Sequence, residues 1–81
     1  MSMLSAKQLR AARALIGWEQ SHLANATGLA IGTIRRMEAS DGPVRGNARN
    51  VWKVQRSLEE AGVIFINENG GGAGVRLKLP T

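Results

Sequence analysis

Trp18-Glu19-Gln20-Ser21-His22-Leu23-Ala24-Asn25-Ala26-Thr27-Gly28-Leu29-Ala30-Ile31-Gly32-Thr33-Ile34-Arg35-Arg36-Met37-Glu38 is the stretch on which the fold turns. It holds two short amphipathic patterns broken by one glycine. Leu23, Ala24 and Thr27 stand at i, i+1 and i+4 and make one apolar stripe. Leu29, Ile34 and Met37 supply the next. Gly28 lies between them, and glycine reaches the left-handed backbone region without penalty, so it can end one helix and let another begin within a few residues. The spacing predicts helices over about 20–26 and 31–38, joined in a helix-turn-helix over about 20–38.

Upstream, residues 1–4 read as a loose end. Ser5 is a natural N-cap, its hydroxyl accepting a free backbone N–H of the first turn. No glycine or proline interrupts 6–16, where Leu9, Ala12 and Ile16 recur at helical spacing, and Gly17 closes the segment. Downstream, Ala39-Ser40-Asp41-Gly42-Pro43-Val44-Arg45-Gly46 is a loop by its turn formers. Asn47 caps a fourth helix over about 48–61, with Val51, Val54, Leu58 and Ala61 facing inward, Trp52 half-buried at the edge of that stripe, and Gly62 as the stop. The period then changes. Val63-Ile64-Phe65-Ile66 is β-branched and aromatic, Val75-Arg76-Leu77-Lys78-Leu79 alternates, and a glycine-rich turn lies between, so 63–79 reads as a β-hairpin. The expected fold is mainly α, four helices and a C-terminal hairpin in one domain spanning 1–81.

A lone hairpin is marginal in water, so it must dock on the helices, with Phe65, Leu77 and Leu79 covering the core beneath helix four. Its remaining edge, or the surface beside it, is then the expected place for a homodimer contact, while Arg76 and Lys78 on the other face guard against uncontrolled pairing.

The 81 residues suffice for one small core, burying about 60–65% of the surface the unfolded chain exposes. Without cysteine there are no disulfides and no thiolate metal sites, and a reducing compartment is the natural setting. The longest apolar run, Val63-Ile64-Phe65-Ile66, is far short of the roughly 20 residues of a membrane span. A soluble, cytoplasmic protein without membrane contact is expected. The formal net charge is +5, and Arg35, Arg36, Arg45, Arg49, Lys53 and Arg56 crowd the middle third against only Glu38 and Asp41. Such regional excess favours a polyanion, nucleic acid first.

Residues 9–38 resemble the helix-turn-helix of the Cro/phage-repressor class, the xenobiotic-response-element (XRE) family of bacterial regulators. The matching signs are Arg13, Gly17-Trp18, Gln20, Leu23-Ala24, Gly28, Thr33-Ile34 and Met37-Glu38, followed by Ala39-Ser40-Asp41-Gly42-Pro43. The resemblance implies a lambda-repressor-like domain that binds double-stranded DNA. It implies that the helix at about 31–38 enters the major groove, with Ile31, Gly32 and Arg36 facing base edges. Gln20, Thr33 and Arg35 are then expected at phosphates, with Arg45 and Arg49 beyond them, Gln20 also capping the second helix. Arg13 is expected to pair with Glu38 and tie the reading helix to the core. An arginine can hold both O6 and N7 of guanine, whereas an isoleucine can only press on a thymine methyl. Ala30 departs from the family pattern, standing where a Ser or Thr cap is usual, at a cost on the order of 1 kcal/mol. Ile31-Gly32 also departs from it, being apolar where polar readers are common.

Other signals carry less. His22 has no second metal ligand or nucleophile near it in the pattern, so neither a metal nor a catalytic role is expected. Gly70-Gly71-Gly72-Ala73-Gly74 does not lead into a helix, as a phosphate loop must. Glu59-Glu60 reads as solvated charge. No enzyme and no cofactor are expected. The expected function is a sequence-specific transcriptional regulator, a repressor acting as a dimer. The competing reading is a protein-interaction module on a worn helix-turn-helix scaffold, anti-repressor or antitoxin-like, suggested by the apolar Ala30-Ile31-Gly32 face.

Overall fold

The computed structural model describes residues 4–78: four helices, α1 (Ala6–Ile16), α2 (Gln20–Thr27), α3 (Ile31–Glu38) and α4 (Ala48–Glu60), then two strands, β1 (Val63–Ile66) and β2 (Gly74–Leu77). Ser5 caps α1 in a reciprocal box: the Gln8 N–H donates to its hydroxyl, and its own N–H donates to the Gln8 side-chain oxygen. Gly17 and Gly28 close α1 and α2 at φ of 69° and 76°. Both lie in the left-handed region, which an L side chain enters only at a cost. The Gly28 N–H still donates to the Ala24 carbonyl at 2.9 Å, so α2 runs one residue past the expected 26. α4 ends at Glu60, with Ala61 as its C-cap.

The core draws two side chains from each helix: Leu9 and Ala12, Leu23 and Ala24, Ile34 and Met37, Val54 and Leu58. Val63 of β1 completes it. The strands pair antiparallel, Val63 opposite Leu77 and Phe65 opposite Val75. The Lys78 N–H donates to the Gly62 carbonyl at 2.6 Å and carries the pairing one step further. β1 lies against α4, and β2 lies over α1.

Several expectations are corrected. Leu77 does not cover the core. Leu77 stands opposite Val63 at the end of β2, which packs on α1 and scarcely meets α4, so it stays 47% exposed, and Phe65 and Val75 cover the core instead. Leu79 lies outside the described residues. Trp52 is not half-buried but 64% exposed. Each helical residue turns about 100° from the last, and Trp52 falls on the far side of Val51 from Val54 and Leu58. Leu4 is not loose: it packs on the core and its carbonyl accepts the Val44 N–H at 3.0 Å, beside a bridge between Ser5 and Pro43.

Gln8 holds the two ends of the fold together. It is buried, and its amide donates to the carbonyls of Ile66 and Gly74, each at 3.1 Å. Those residues face each other across the hairpin next to its turn. One side chain thus completes the α1 cap and clamps the sheet. Among the described residues no buried side-chain nitrogen or oxygen lacks a partner.

Candidate nucleic-acid interface

α3 is built from its buried side outward. Ile34, Met37 and Glu38 face the core, which turns Gly32 and Arg36 to the middle of the opposite face. Arg35 and Ile31 flank that face on one side and Thr33 on the other. Ile31, Gly32, Arg35 and Arg36 are exposed and Thr33 half-buried. Ala30 is the N-cap and offers no side-chain hydrogen bond.

Glu38 fixes the helix in place. Its side chain is 2% exposed, and Arg13 grips it with two parallel bonds, Nε to Oε2 and Nη2 to Oε1, both 2.6 Å. Gln20 adds a third donor, its amide nitrogen 3.1 Å from Oε1. Arg13 also donates to the Trp18 carbonyl at 3.0 Å, which ties the α1–α2 turn to the same carboxylate. A buried carboxylate is tolerated only when it is paired and well supplied with donors, and here three donors hold it. The Gln20 amide is therefore engaged inside the protein rather than turned out as a cap. Glu19 is the N-cap of α2, with no side-chain bond to the helix.

Arg10 secures the other end of α3. Its guanidinium donates to the Glu38 carbonyl and, at 3.1 Å, to the Ser40 carbonyl, and it stands 3.6 Å from the Asp41 carboxylate. A cation there satisfies carbonyls that the helix end leaves open and suits its negative pole. Sequence reasoning missed Arg10, although its i, i+3 spacing from Arg13 put both arginines on one face of α1.

Between the end of α3 and the start of α4 lies a groove of about 420 Å³, with Thr33 and Arg36 on one wall and Arg45, Asn47 and Asn50 on the other. Arg36 reaches back to the Thr33 hydroxyl at 3.4 Å. Asn50 is an additional polar group on this wall, one helical step from Arg49. Arg49 itself is exposed but on another face of α4, outside the groove. The charge on this side exceeds what the composition suggests. Of the two carboxylates within 35–56, Glu38 is buried against Arg13, and Asp41 stands beside Arg10. Arg35, Arg36 and Arg45 are left exposed.

His22 stacks on Trp18, ring centroids 4.1 Å apart and planes 11° from parallel. Among the described residues no group of His, Asp and Glu could hold a metal ion, and no helix is long and apolar enough to cross a membrane.

The chain matches no protein-family model, and a search of curated proteins finds no match either.

Proposed function

We propose that this protein is a sequence-specific regulator of transcription, a cytoplasmic repressor that binds double-stranded DNA by laying α3 in the major groove. One observation supports this above the rest. α3 presents an unpartnered face of Gly32 and Arg36, flanked by Arg35 and, across the groove, by Arg45, while its buried side is bolted to α1 through Arg13 and Glu38. A rigid helix with cations on its free face suits a groove lined by phosphates and base edges.

In this reading Arg36 pairs with a guanine edge, Ile31 and Gly32 lie against neighbouring bases, and Thr33, Arg35 and Arg45 meet phosphates. Two copies side by side suit an operator with half-sites about 34 Å apart, since the chain extends 33 × 29 × 19 Å.

The test is selection of bound sites from a random duplex pool, then titration of the selected site at two salt concentrations. Affinity falls steeply with salt if phosphates are contacted. Arg36→Ala costs about 1–3 kcal/mol on the selected site and relaxes one base position, whereas Arg35→Ala weakens all sequences alike and lowers the salt slope by about 1. If Arg36→Ala binds selected and random duplexes as the parent does, the assignment of α3 is wrong. The exposed Ile31, 36% accessible, favours one second reading, a protein partner seated on the first turn of α3. That partner's binding would barely respond to salt.

A further inference from the structure

The outward face of α4 carries a seam that the DNA reading does not use. Arg49, Trp52, Arg56 and Glu59 are all exposed and follow one another at intervals of three, four and three residues, the spacing that lines one side of a helix. Among the described residues Trp52 is the most exposed of the large apolar side chains, at 64%. The ring stacking found among the described residues is Trp18 on His22, so the Trp52 indole faces solvent without a stacking partner.

The order of the seam is symmetric about the middle of the helix. α4 runs Ala48–Glu60, with Val54 at its centre. Arg49 and Glu59 lie equally far from Val54 on either side, and so do Trp52 and Arg56. An antiparallel copy laid along the full helix therefore sets each Arg49 against a Glu59 and each Trp52 against an Arg56. A parallel copy sets like on like, Arg49 on Arg49 and Glu59 on Glu59, and repels. Only the antiparallel arrangement is self-complementary, and it is the one a two-fold axis generates.

We propose that this face of α4 is a homodimer surface and that its occupant is a second copy of this chain, related by a two-fold axis that passes between the two helices at the level of Val54. Two Arg49–Glu59 ion pairs close the ends, and two Trp52–Arg56 contacts, guanidinium over indole, fill the middle. Tryptophan and arginine are the residues most enriched where interfaces hold their energy. At 1.5 Å per residue the helix is about 20 Å long, and one helix face buries well under the roughly 1,200 Å² of a standard interface. The dimer is accordingly weak when free and is suited to forming on a template that brings two copies together.

Sedimentation equilibrium of the full chain from about 10 μM to about 1 mM covers the range expected of so small an interface. The apparent mass rises from that of the 8.7 kDa monomer toward twice that value. Trp52→Ala stays monomeric. Arg49→Glu and Glu59→Arg each weaken association at least tenfold, because each places like charges across the axis. The double variant, carrying both reversals, restores association to within a few-fold of the parent, since the seam is again self-complementary. All four positions are exposed, and far-UV circular dichroism verifies that the variants keep the fold. A parent that remains monomeric at the highest concentration overturns the proposal. So does association that survives Trp52→Ala and Arg49→Glu, or that is lost on Leu77→Ser instead, which assigns the contact to the hairpin. Failure of the double variant to recover overturns the antiparallel pairing.

Discussion

Glu38 and Glu68 are two carboxylates held by opposite means. Glu38 sits inside the protein under three side-chain donors, two of them from Arg13. Removing one partner of such a pair strands the other, and the expected loss for Arg13→Ala or Glu38→Ala is about 3–5 kcal/mol. The double variant loses less than the two losses added, as urea unfolding of all four forms will show; strictly additive losses would mean the groups do not couple. Glu68 lies in the open hairpin loop, where the N–H groups of Gly72 and Gly70 donate to its carboxylate at 2.9 and 2.8 Å. Those bonds, Gly72 first, hold its pKa below the ordinary carboxylate value. Its contribution to loop order is therefore fully present above the unfolded-state pKa and disappears as pH falls through the lowered one. Nuclear magnetic resonance should show the Gly70 and Gly72 amides titrating together, with a midpoint below that of free glutamate, about 4.3. A midpoint at or above that value would place the carboxylate elsewhere.

Within α3, Gly32 has no structural reason to be glycine. Its φ is not positive, and a Cβ built there meets nothing within 4 Å. Glycine inside a helix costs about 1 kcal/mol relative to alanine, so Gly32→Ala should stabilise the fold by about that amount. If the helix is seated against base edges, the same methyl should weaken duplex binding. Thermal unfolding and duplex titration of this one variant read the two effects separately. Higher stability with unchanged affinity would mean nothing approaches α3 closely at this point. The same helices show what was legible in advance. Gly17 and Gly28 mark helix ends because the left-handed backbone is a local property, readable residue by residue. The apolar stripes of α1, α2 and α4 were legible for a similar reason, since a 3.6-residue period leaves its trace in the chain. Trp52 was misjudged because one helical step decides between core edge and solvent, and apolarity alone does not say on which side a residue falls. Gln20, Gln8 and Arg10 are harder to read for another reason. Their partners lie 18 to 66 residues away or are backbone carbonyls, which look the same at every position of a sequence.

For the molecule as a whole, the hairpin is part of the fold rather than an addition to it. Val63 is buried, Phe65 and Val75 pack on the core, and Gln8 bonds the strands. A chain ending at Gly62 uncovers that apolar surface and leaves the Gln8 amide without its acceptors. It should lose at least about 3 kcal/mol of stability, since burying one side chain such as Val or Phe contributes about 1.5–3 kcal/mol. Chemical unfolding of the two lengths measures this, and equal midpoints would show the hairpin to be dispensable.

The Gln8 clamp also has a consequence in time. Its acceptors include the carbonyl of Gly74, which lies 66 residues further along the chain. While the chain is growing, α1 can form its turns, but the Gln8 amide gains its first hairpin acceptor only with β1 and its second only with β2. The helices emerge in order and must wait, loosely assembled, for a segment still being made. Closure of the clamp thus joins α1 to strands made much later, and long-range closure of this kind is slow. A stop codon or proteolytic cut shortly before Gly74 should leave not a smaller finished domain but an unfinished one, recognisable to the degradation machinery.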